Sequence, residues 1–399
     1  MRLYWFAQPA SEEVCKAVRQ NVVRAIIGVA LASTTAAALA GCSDSGKTNE
    51  AGSSNCNLKI GTFGAYTGGD SGLVLPSLNA IKMAIEDYNT ANPNCKVTEV
   101  DSDTTGDQKQ AGPVADKFVQ DKSVIAVIGG AFSGESKATI PTFDAAGLVM
   151  LSQSATATEL TASSSKVFHR VVGNDSVQGA AAAQYLKGKY KKAFLINDGS
   201  PYGLGISNEV KTGLGSIAGS VDKIQKGQQN YDATISKIKA ASPDVVTYAG
   251  YTSEAAPLLK QMRTAGIKAD FVGFDGLYDP NFIKVAGSAA EGAVITCPCL
   301  PPDKATGDFA AKFKAKYGQE PGAYAAEGYD AAQIILNGIK AGKTTRADML
   351  AYVNAYDQPG ASKELKFDSK GDVDRSKVTI WPYKVTGGKF VAGDQIKLG

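Results

Sequence analysis

The chain is almost without histidine, since His169 is the only one among 399 residues. A hydrolytic triad needs a base beside its nucleophile, and histidine is the usual base. His169 lies in the apolar run at residues 167–171, where a structural role is the better interpretation. The acidic residues Asp101 and Asp103 stand at the start of a loop without an identifiable partner acid, so capping or solvated roles suit them better than catalysis. The sequence therefore predicts a protein that is not an enzyme, with an exported hydrolase as the last alternative.

The chain also lacks an excess of charge of either sign. Its 42 Lys and Arg residues face 39 Asp and Glu residues, which gives a net charge of +3. Without residues 1–41 the balance is 38 basic and 37 acidic residues, or +1. Proteins that bind nucleic acid carry a basic patch, so we expect no nucleic-acid partner.

Long hydrophobic runs are absent as well. The apolar stretch at residues 25–39 follows two arginines and is too short to span a bilayer comfortably, which predicts a signal-peptide core. It ends in Leu39-Ala-Gly-Cys42, which resembles the lipobox of bacterial lipoproteins. We therefore expect residues 1–41 to be a lipoprotein signal peptide, and Cys42 to anchor the protein on the extracytoplasmic face of the cell membrane through a polar tether at residues 42–56. A chance cysteine after an ordinary secretory signal is the alternative.

Few cysteines remain for the folded part of the chain. Of the six, one lies in the predicted signal segment and Cys42 is the predicted lipid site. An exported chain permits disulfides, and we expect Cys56 to pair with Cys95, stapling the first strand to the start of the next. Cys297 and Cys299, in Thr-Cys-Pro-Cys-Leu, either close a short disulfide loop or stay as thiols. A metal site would need further Cys or His ligands, so no metal or other cofactor is predicted.

Short apolar strands and amphipathic helices alternate through the first three quarters of the chain. This alternation is typical of parallel, doubly wound α/β sheets. Helices return after the second α/β unit, so we expect two lobes with several chain crossings and a cleft that closes by hinging. Within this pattern we expect Asp175 and Gln178 to form a capping-box-like pair at a helix start, and residues 365–372 and 377–384 to pair as a hairpin.

Two loops rich in small residues follow neighbouring predicted strands, one containing Ser133 and the other Thr156. Ligands of open α/β sheets bind beyond the carboxyl ends of parallel strands, where helix N-termini offer unpaired N–H groups. Ser133 with the amides of residues 134–136 could hold a carboxylate, and Thr156 with the Ser154 carbonyl could complete a site for a zwitterion. The alternative is that Ser133 only caps its helix and Thr156 only shapes a turn.

Several motifs carry a resemblance to a known family. They are Gly64-Ala-Tyr-Thr-Gly68, Val127-Ile-Gly, Ser154-Ala-Thr-Ala-Thr-Glu-Leu-Thr161, residues 170–179, Tyr202-Gly, Tyr251 with Glu254, and Phe367-Asp-Ser-Lys-Gly-Asp372. Together they resemble the leucine/isoleucine/valine-binding family of type I periplasmic binding proteins, the solute receptors of ABC importers. The resemblance implies an α/β fold of two Rossmann-like lobes with parallel doubly wound sheets, joined by a three-stranded hinge. The lobes would be residues 57–173 with 301–376, and residues 174–300 with 377–399.

The resemblance also implies roles for residues of the cleft. By position, the α-carboxylate and the α-ammonium of an amino acid would be held by Ser133, by the backbone of Ser154 and by Thr156, with Ala155 between the last two. Asp275 matches an acidic residue that pairs with the ammonium from the second lobe. The alternative for Asp275, which precedes Gly276, is an ordinary turn aspartate.

Aromatic residues would complete the predicted site. Tyr202 and Tyr251 match residues that close over the ligand, although both could pack on the core instead. The side-chain pocket would be lined by Ala131, Phe132 and Tyr324. Phe132 and Tyr324 are bulky or polar for this family. The resemblance therefore predicts recognition of the α-amino-acid backbone better than it predicts which ligand side chain is preferred.

The resulting prediction is a monomeric, lipid-anchored receptor for an amino acid, with branched-chain amino acids as the first candidates. Its partners would be the permease and ATPase subunits of an ABC importer. The alternative function is a sensory or regulatory module of the same fold, for an amino acid, an amide or a urea-like solute. Both would close on a ligand.

Overall fold

A computed structural model describes residues 56–162 and 165–397 of the chain. The predicted signal peptide at residues 1–41, the predicted lipidation site Cys42 and the tether up to residue 55 lie outside the described residues. Within the described ranges no helix is long and apolar enough to cross a membrane.

Five strands form the first sheet. In chain order they are β1 (Leu58–Gly64), β2 (Val97–Asp103), β3 (Val124–Gly129), β4 (Val149–Ser152) and β5 (Phe168–Arg170). They alternate with α1 (Ser71–Ala91), α2 (Gln108–Gln120) and α3 (Ser133–Ala145). The order across the sheet is β2-β1-β3-β4-β5, and every neighbouring pair is parallel. Strands β3 and β4 are buried along their whole length, as expected of central strands in a parallel sheet.

The second sheet is larger and mixed. The remaining strands are β6 (Ala193–Asn197), β7 (Ala218–Lys223), β8 (Val245–Ala249), β9 (Asp270–Phe274), β10 (Val294–Cys297), β11 (Asp357–Pro359), β12 (Glu364–Lys366), β13 (Trp381–Thr386) and β14 (Lys389–Ala392). Its helices are α4 (Asp175–Lys187), α5 (Pro201–Leu214), α6 (Asp232–Ala241), α7 (Thr252–Thr264) and α8 (Pro280–Ala286). The sheet order is β14-β13-β10-β9-β8-β6-β7, and β11 pairs only with β12. Strands β6 to β10 are parallel, whereas β13 runs antiparallel to β10 and to β14.

The chain passes between the two sheets three times: after β5, after β10 and before β13. After β10 it returns through α9 (Phe309–Tyr317), α10 (Ala325–Lys340) and α11 (Arg346–Asn354). Helix α10 packs on α1, and buried apolar residues of α10 and α11 join the core of the first sheet. The predicted α/β fold of two Rossmann-like lobes is confirmed. The strands of the two sheets fall on either side of the predicted lobe boundaries, and the boundaries themselves stay predictions.

Two local predictions are wrong. The segments 365–372 and 377–384 do not pair as a hairpin, because β13 instead satisfies the backbone groups at the edge of β10. Helix α4 is capped by Asn174, whose side chain accepts a hydrogen bond from the Ser176 N–H at 3.2 Å. Asparagine is a strong N-cap and stands one position before Asp175, so Asp175 and Gln178 form no capping box.

Two disulfides lie within the described residues. Cys56 and Cys95 are joined as predicted, which ties the start of β1 to the segment before β2. Such a cross-link stabilises the fold mainly by restricting the unfolded chain. Cys297 and Cys299 are also joined, around Pro298 at the end of β10, where the chain leaves the second sheet. Of the two alternatives for this pair, the structure therefore has the short disulfide loop.

Candidate ligand-binding site

The loop after β3 makes a sharp turn that only glycine permits. Gly130 has a φ of +62°, and a Cβ added there would lie 2.3 Å from the Ser136 hydroxyl oxygen. The Ser136 hydroxyl donates to the Gly130 carbonyl at 2.7 Å, and the Ser152 hydroxyl, at the end of β4, donates to the same carbonyl at 3.1 Å. The turn is therefore fixed both to its own helix and to the neighbouring strand.

Further hydrogen bonds hold the loops after β3 and β4 side by side. The Ser154 hydroxyl donates to the Ala131 carbonyl at 2.8 Å. The Ala157 N–H donates to the Ser133 hydroxyl oxygen at 3.2 Å. Because Phe132 is the N-cap of α3, Ser133 is the first helical residue and its hydroxyl ties the two loops instead of capping the helix. The capping alternative for Ser133 is thus not what the structure has.

Arg170, at the end of β5, stabilises the loop after β4 through hydrogen bonds. One guanidinium nitrogen donates to the carbonyls of Ala155 and Ala157, at 3.0 and 2.9 Å, and another donates to the Thr161 hydroxyl at 2.8 Å. The Nε–H donates to the carboxylate of Asp372. A fully buried guanidinium is tolerated when its donors are paired, and here they fix the backbone on both sides of Thr156.

On the opposite side of the cleft, Asp275 is held by two tyrosines. It follows β9 and is buried, with its carboxylate oxygens accepting from the Tyr202 hydroxyl at 2.7 Å and the Tyr324 hydroxyl at 2.6 Å. The Gly276 N–H donates to the Tyr202 oxygen at 3.0 Å, which fixes that ring. Tyr324 has a left-handed backbone with φ of +56°, a conformation that a bulky residue rarely adopts. Such strain is often kept where it places a functional group, here the hydroxyl on Asp275.

Burial dominates the electrostatics around Asp275. Desolvation raises the pKa of its carboxyl, although the hydrogen bonds from Tyr324 and Tyr202 work in the other direction. The pKa of the Tyr202 hydroxyl is raised well above its usual range by burial and by the charges of Asp275 and Asp175. The same causes raise the pKa of Tyr324. Both tyrosines therefore remain neutral donors at physiological pH.

Aromatic rings from both lobes meet beside this carboxylate. The Phe132 ring stacks on the Tyr251 ring, with centroids 4.3 Å apart. The Tyr202 ring lies 5.3 Å from the Tyr251 ring. Phe132 comes from the loop after β3, whereas Tyr202 lies in α5 and Tyr251 caps α7 in the second lobe, so this cluster spans the cleft.

Polar contacts also join the two sides of the cleft. The Asp70 carboxylate accepts from the Ser253 N–H at 2.8 Å and from its hydroxyl at 2.9 Å. The Lys226 ammonium donates to the Gly106 carbonyl at 3.2 Å. Direct contacts of this kind bring the two halves of the predicted site together, with Ser133 and Thr156 on one side and Asp275 on the other.

A cavity of about 450 Å³ opens next to the Phe132 and Tyr251 rings. Its lining mixes apolar and polar groups and includes the charged residues Asp70, Lys109, Glu135, Asp198, Lys226 and Glu254. Burial raises the pKa of Glu135 to about 7, against the hydrogen bonds that its carboxylate accepts from Thr104 and the Phe132 N–H. The cavity is large enough for an amino-acid side chain to extend into it.

His169 has no place in this site. Its ring nitrogens lie 2.8 Å from the Asn354 side-chain oxygen and 3.2 Å from the Val167 carbonyl, and the ring is buried. Burial lowers its pKa. The structural interpretation of this histidine agrees with these contacts.

A family model described as periplasmic binding protein matches residues 57–381. This match extends over both sheets and over both sides of the cleft. The chain belongs to the periplasmic binding protein family.

Comparison with individual proteins shows which members of the family the chain is similar to. The leucine-, isoleucine-, valine-, threonine- and alanine-binding protein of Pseudomonas aeruginosa is 32% identical over 75% of this chain and 83% of its own length. The Leu/Ile/Val-binding protein of Escherichia coli K12 is 29% identical over 83% of this chain and 92% of its own. A leucine-binding protein from Thermotoga maritima superposes with a TM-score of 0.77 at 27% identity, covering 85% of this chain and 98% of that one. The predicted resemblance to the leucine/isoleucine/valine-binding family is confirmed, and all three of these relatives are binding proteins.

In this periplasmic binding protein, the residues predicted for the site lie at the cleft, and all of them are buried except Tyr251, which is half-buried. They are Ala131, Phe132, Ser133, Ser154, Ala155, Thr156, Tyr202, Tyr251, Asp275 and Tyr324. Their contact with a ligand stays a prediction. Sequence reasoning gave no site role to Arg170 or Asp175, although both stand in the motif at residues 170–179. An acidic residue directly after a predicted chain crossing is the signal that could have pointed to Asp175.

Proposed function

We propose that the chain is an extracytoplasmic solute-binding lipoprotein of an ABC importer. It captures an α-amino acid in the cleft, with branched-chain amino acids as the first candidates, closes around it by a hinge motion and delivers it to the permease. The two relatives support the ligand class, because both are binding proteins for leucine, isoleucine and valine.

The observation that carries the proposal is the arrangement of charges and hydrogen-bonding groups across the cleft. Ser133 stands at the N-terminus of α3, where free N–H groups favour an anion such as the α-carboxylate. Asp275, after β9 in the second lobe, offers a buried negative charge to the α-ammonium. A zwitterion therefore finds complementary partners on the two lobes, and binding to both favours the closed form.

The membrane anchor is the second part of the proposal. Cys42 would be diacylated after signal cleavage, and several acyl chains make a stable anchor. Replacing Cys42 by serine should move the protein from the membrane fraction to the soluble fraction or leave it as uncleaved precursor. Continued membrane attachment of a Cys42→Ser protein whose signal peptide has been cleaved would refute the lipid anchor without touching the ligand assignment.

The ligand assignment is tested with the full chain in detergent, unfolded and refolded to remove bound ligand. Calorimetric titration with L-leucine, L-isoleucine and L-valine should give micromolar dissociation constants, near 8 kcal/mol of binding free energy at about 1 μM. L-lysine, L-glutamine and L-phenylalanine titrated in parallel define the side-chain class.

A matched control separates the site from general folding. Asp303→Ala removes a carboxylate whose side chain is 70% exposed, so L-leucine should bind this variant as it binds the natural protein. If none of the amino acids binds the natural protein, the fold stands but the amino-acid receptor assignment fails.

A further inference from the structure

Asp175 is a buried carboxylate without a protein partner. Within residues 56–162 and 165–397 it is the one buried acidic residue for which both carboxylate oxygens lack a hydrogen bond. The other buried acids near the cleft accept at least one, as Asp275 does from Tyr202 and Tyr324. Buried charged groups are normally paired, so this exception calls for a function.

The position of Asp175 at the start of α4 does not supply that function. Asn174 already caps the helix, and its side-chain oxygen accepts from both the N–H and the hydroxyl of Ser176. The charge of the buried Arg170 lowers the pKa of Asp175, but its N–H groups are directed to the loop carbonyls and to Asp372, and the two residues form no ion pair. Neither helix capping nor an ion pair therefore explains the Asp175 carboxylate.

Other unpartnered acceptors surround Asp175. The Asp175 N–H donates to the Thr156 carbonyl at 2.8 Å, which fixes the two residues together. The Thr156 hydroxyl is buried and lowers the pKa of the Asp175 carboxyl as a nearby donor, although the two groups do not reach full hydrogen-bonding geometry. One helical turn further on, the side-chain carbonyl of Gln178 is likewise buried without a partner, while its amide donates to the Thr296 carbonyl at 2.7 Å. Several buried oxygens without a hydrogen-bond partner, the orphaned oxygens, therefore lie close together around Asp175.

These oxygens belong to the same buried region as Asp275. A Cβ added at Gly205, one helical turn after Tyr202 in α5, would lie 3.0 Å from an Asp175 carboxylate oxygen, and the Tyr202 hydroxyl donates to Asp275. The charge of Asp275 adds to the burial that raises the pKa of Asp175 well above its usual range. Tyr202 and Tyr324, which donate to Asp275, are in turn affected by the charge of Asp175. Two carboxylates in one buried region repel each other unless a cation lies between them.

We propose that Asp175 is a ligand-binding residue, a second anionic contact for the ammonium group of the bound amino acid, opposite Asp275 and beside the Thr156 hydroxyl. This inference rests on the proposed function. A primary ammonium carries three N–H donors and no acceptor, which matches a site whose unpartnered atoms are acceptors. The two carboxylates, one from the start of α4 and one from the end of β9, clamp the ammonium, and Thr156 supplies the contact from the other lobe.

The test compares two ligands on two proteins. L-leucine and 2-hydroxy-4-methylpentanoate differ only in having an ammonium or a hydroxyl on the α-carbon. In the full chain, Asp175→Asn should weaken L-leucine binding by roughly 30-fold or more, while binding of the hydroxy acid changes by less than about threefold. A merely structural role would weaken both ligands by the same factor and would overturn the proposal.

Thermal unfolding of the ligand-free proteins gives an independent readout. Asp175→Asn removes an unpaired buried charge, so the melting temperature should stay the same or rise while leucine affinity falls. Asp222→Asn is the matched control, because the Asp222 carboxylate is paired with Thr234 and Lys237 on the far side of the second lobe. That control should lose stability and keep leucine affinity.

Each remaining outcome is decisive. If Asp175→Asn does not fold, Asp175→Ser takes its place, and an unchanged preference for L-leucine over the hydroxy acid overturns the ammonium clamp. If the natural protein binds L-leucine and Asp175→Asn binds it equally well, Asp175 is not a ligand contact although the receptor assignment stands. If the natural protein binds no amino acid, both proposals fail together.

Discussion

Arg170 and Asp175 stand at the two ends of the first chain crossing, and both are buried charged residues with opposite surroundings. The N–H groups of Arg170 are used by the carbonyls of Ala155 and Ala157, by Thr161 and by Asp372, whereas neither oxygen of Asp175 accepts a hydrogen bond. A buried charge that the protein satisfies serves the fold. One that the protein leaves unsatisfied costs stability, which is expected where a binding site waits for its ligand.

The largest loss of stability is expected from removing the paired buried charge, that of Arg170. Arg170→Met should lower the free energy of unfolding by about 3 to 5 kcal/mol, because it leaves Asp372 and two loop carbonyls without their buried donor. Urea unfolding of the ligand-free protein measures the change. Leucine affinity should fall too, since the loop that carries Thr156 loses its brace.

Two further variants test whether the geometry of Arg170 matters or only its charge. Arg170→Lys should recover little of the lost stability, because an ammonium cannot reproduce the planar fork that reaches two carbonyls and a carboxylate. Arg375→Met, at an exposed arginine near the third crossing, should leave stability unchanged. A loss below about 1 kcal/mol in Arg170→Met would contradict a structural role for this buried charge.

Asp275 lies between the two extremes, because it has protein partners and also faces the cleft. Asp275→Ala should cost about 2 to 5 kcal/mol of leucine affinity by leaving a buried ammonium with one carboxylate fewer. Calorimetry with L-leucine measures the loss. An unchanged dissociation constant would show that Asp275 does not contact the ligand. Its carboxylate would then serve only to accept the hydrogen bonds of the two tyrosine hydroxyls.

How much of this could be predicted from the sequence depends on how local each feature is. The alternation of strands and helices is a local pattern, so the fold followed from it and from motifs such as Gly64-Ala-Tyr-Thr-Gly68. The partner of β13 was missed because sheet edges are filled by nonlocal strands, here β10. Arg170 meets Asp372 at a sequence separation of 202, which no local pattern reveals.

The site was predicted unevenly for the same reason. Ser133, Thr156 and Asp275 follow strand ends, a position that favours ligand contact in any open α/β sheet. Asp175 was taken for a helix cap, because an acid at the start of a helix usually has that role. Only the three-dimensional environment shows that Asn174 caps the helix and that the Asp175 carboxylate is left unpaired.

Asn174 and Asp175 are sequence neighbours and provide a sharp local comparison. Asn174→Ala removes the N-cap of α4 and should lower the free energy of unfolding by about 1 kcal/mol. Leucine affinity should stay within about twofold, because the Asn174 side chain bonds to Ser176 and Asp372 and not to the orphaned oxygens. Chemical unfolding and calorimetry on the same preparation give both numbers, and a large affinity loss would mean that the start of α4 acts as one unit.

The smallest effect is expected at Tyr248, which tests whether an orphaned polar atom is sufficient to indicate a ligand contact. Its hydroxyl is buried without a hydrogen-bond partner, but its ring belongs to the apolar core of the second sheet and stacks on Phe271. Tyr248→Phe keeps the ring and removes the unsatisfied hydroxyl, so stability should be unchanged or rise by up to about 1 kcal/mol, with leucine affinity unchanged. Thermal unfolding and calorimetry measure the two quantities. A marked loss of affinity would extend the binding site to β8, whereas the expected result would restrict it to orphaned groups that cluster around a second charge, as Asp175 and Thr156 do beside Asp275.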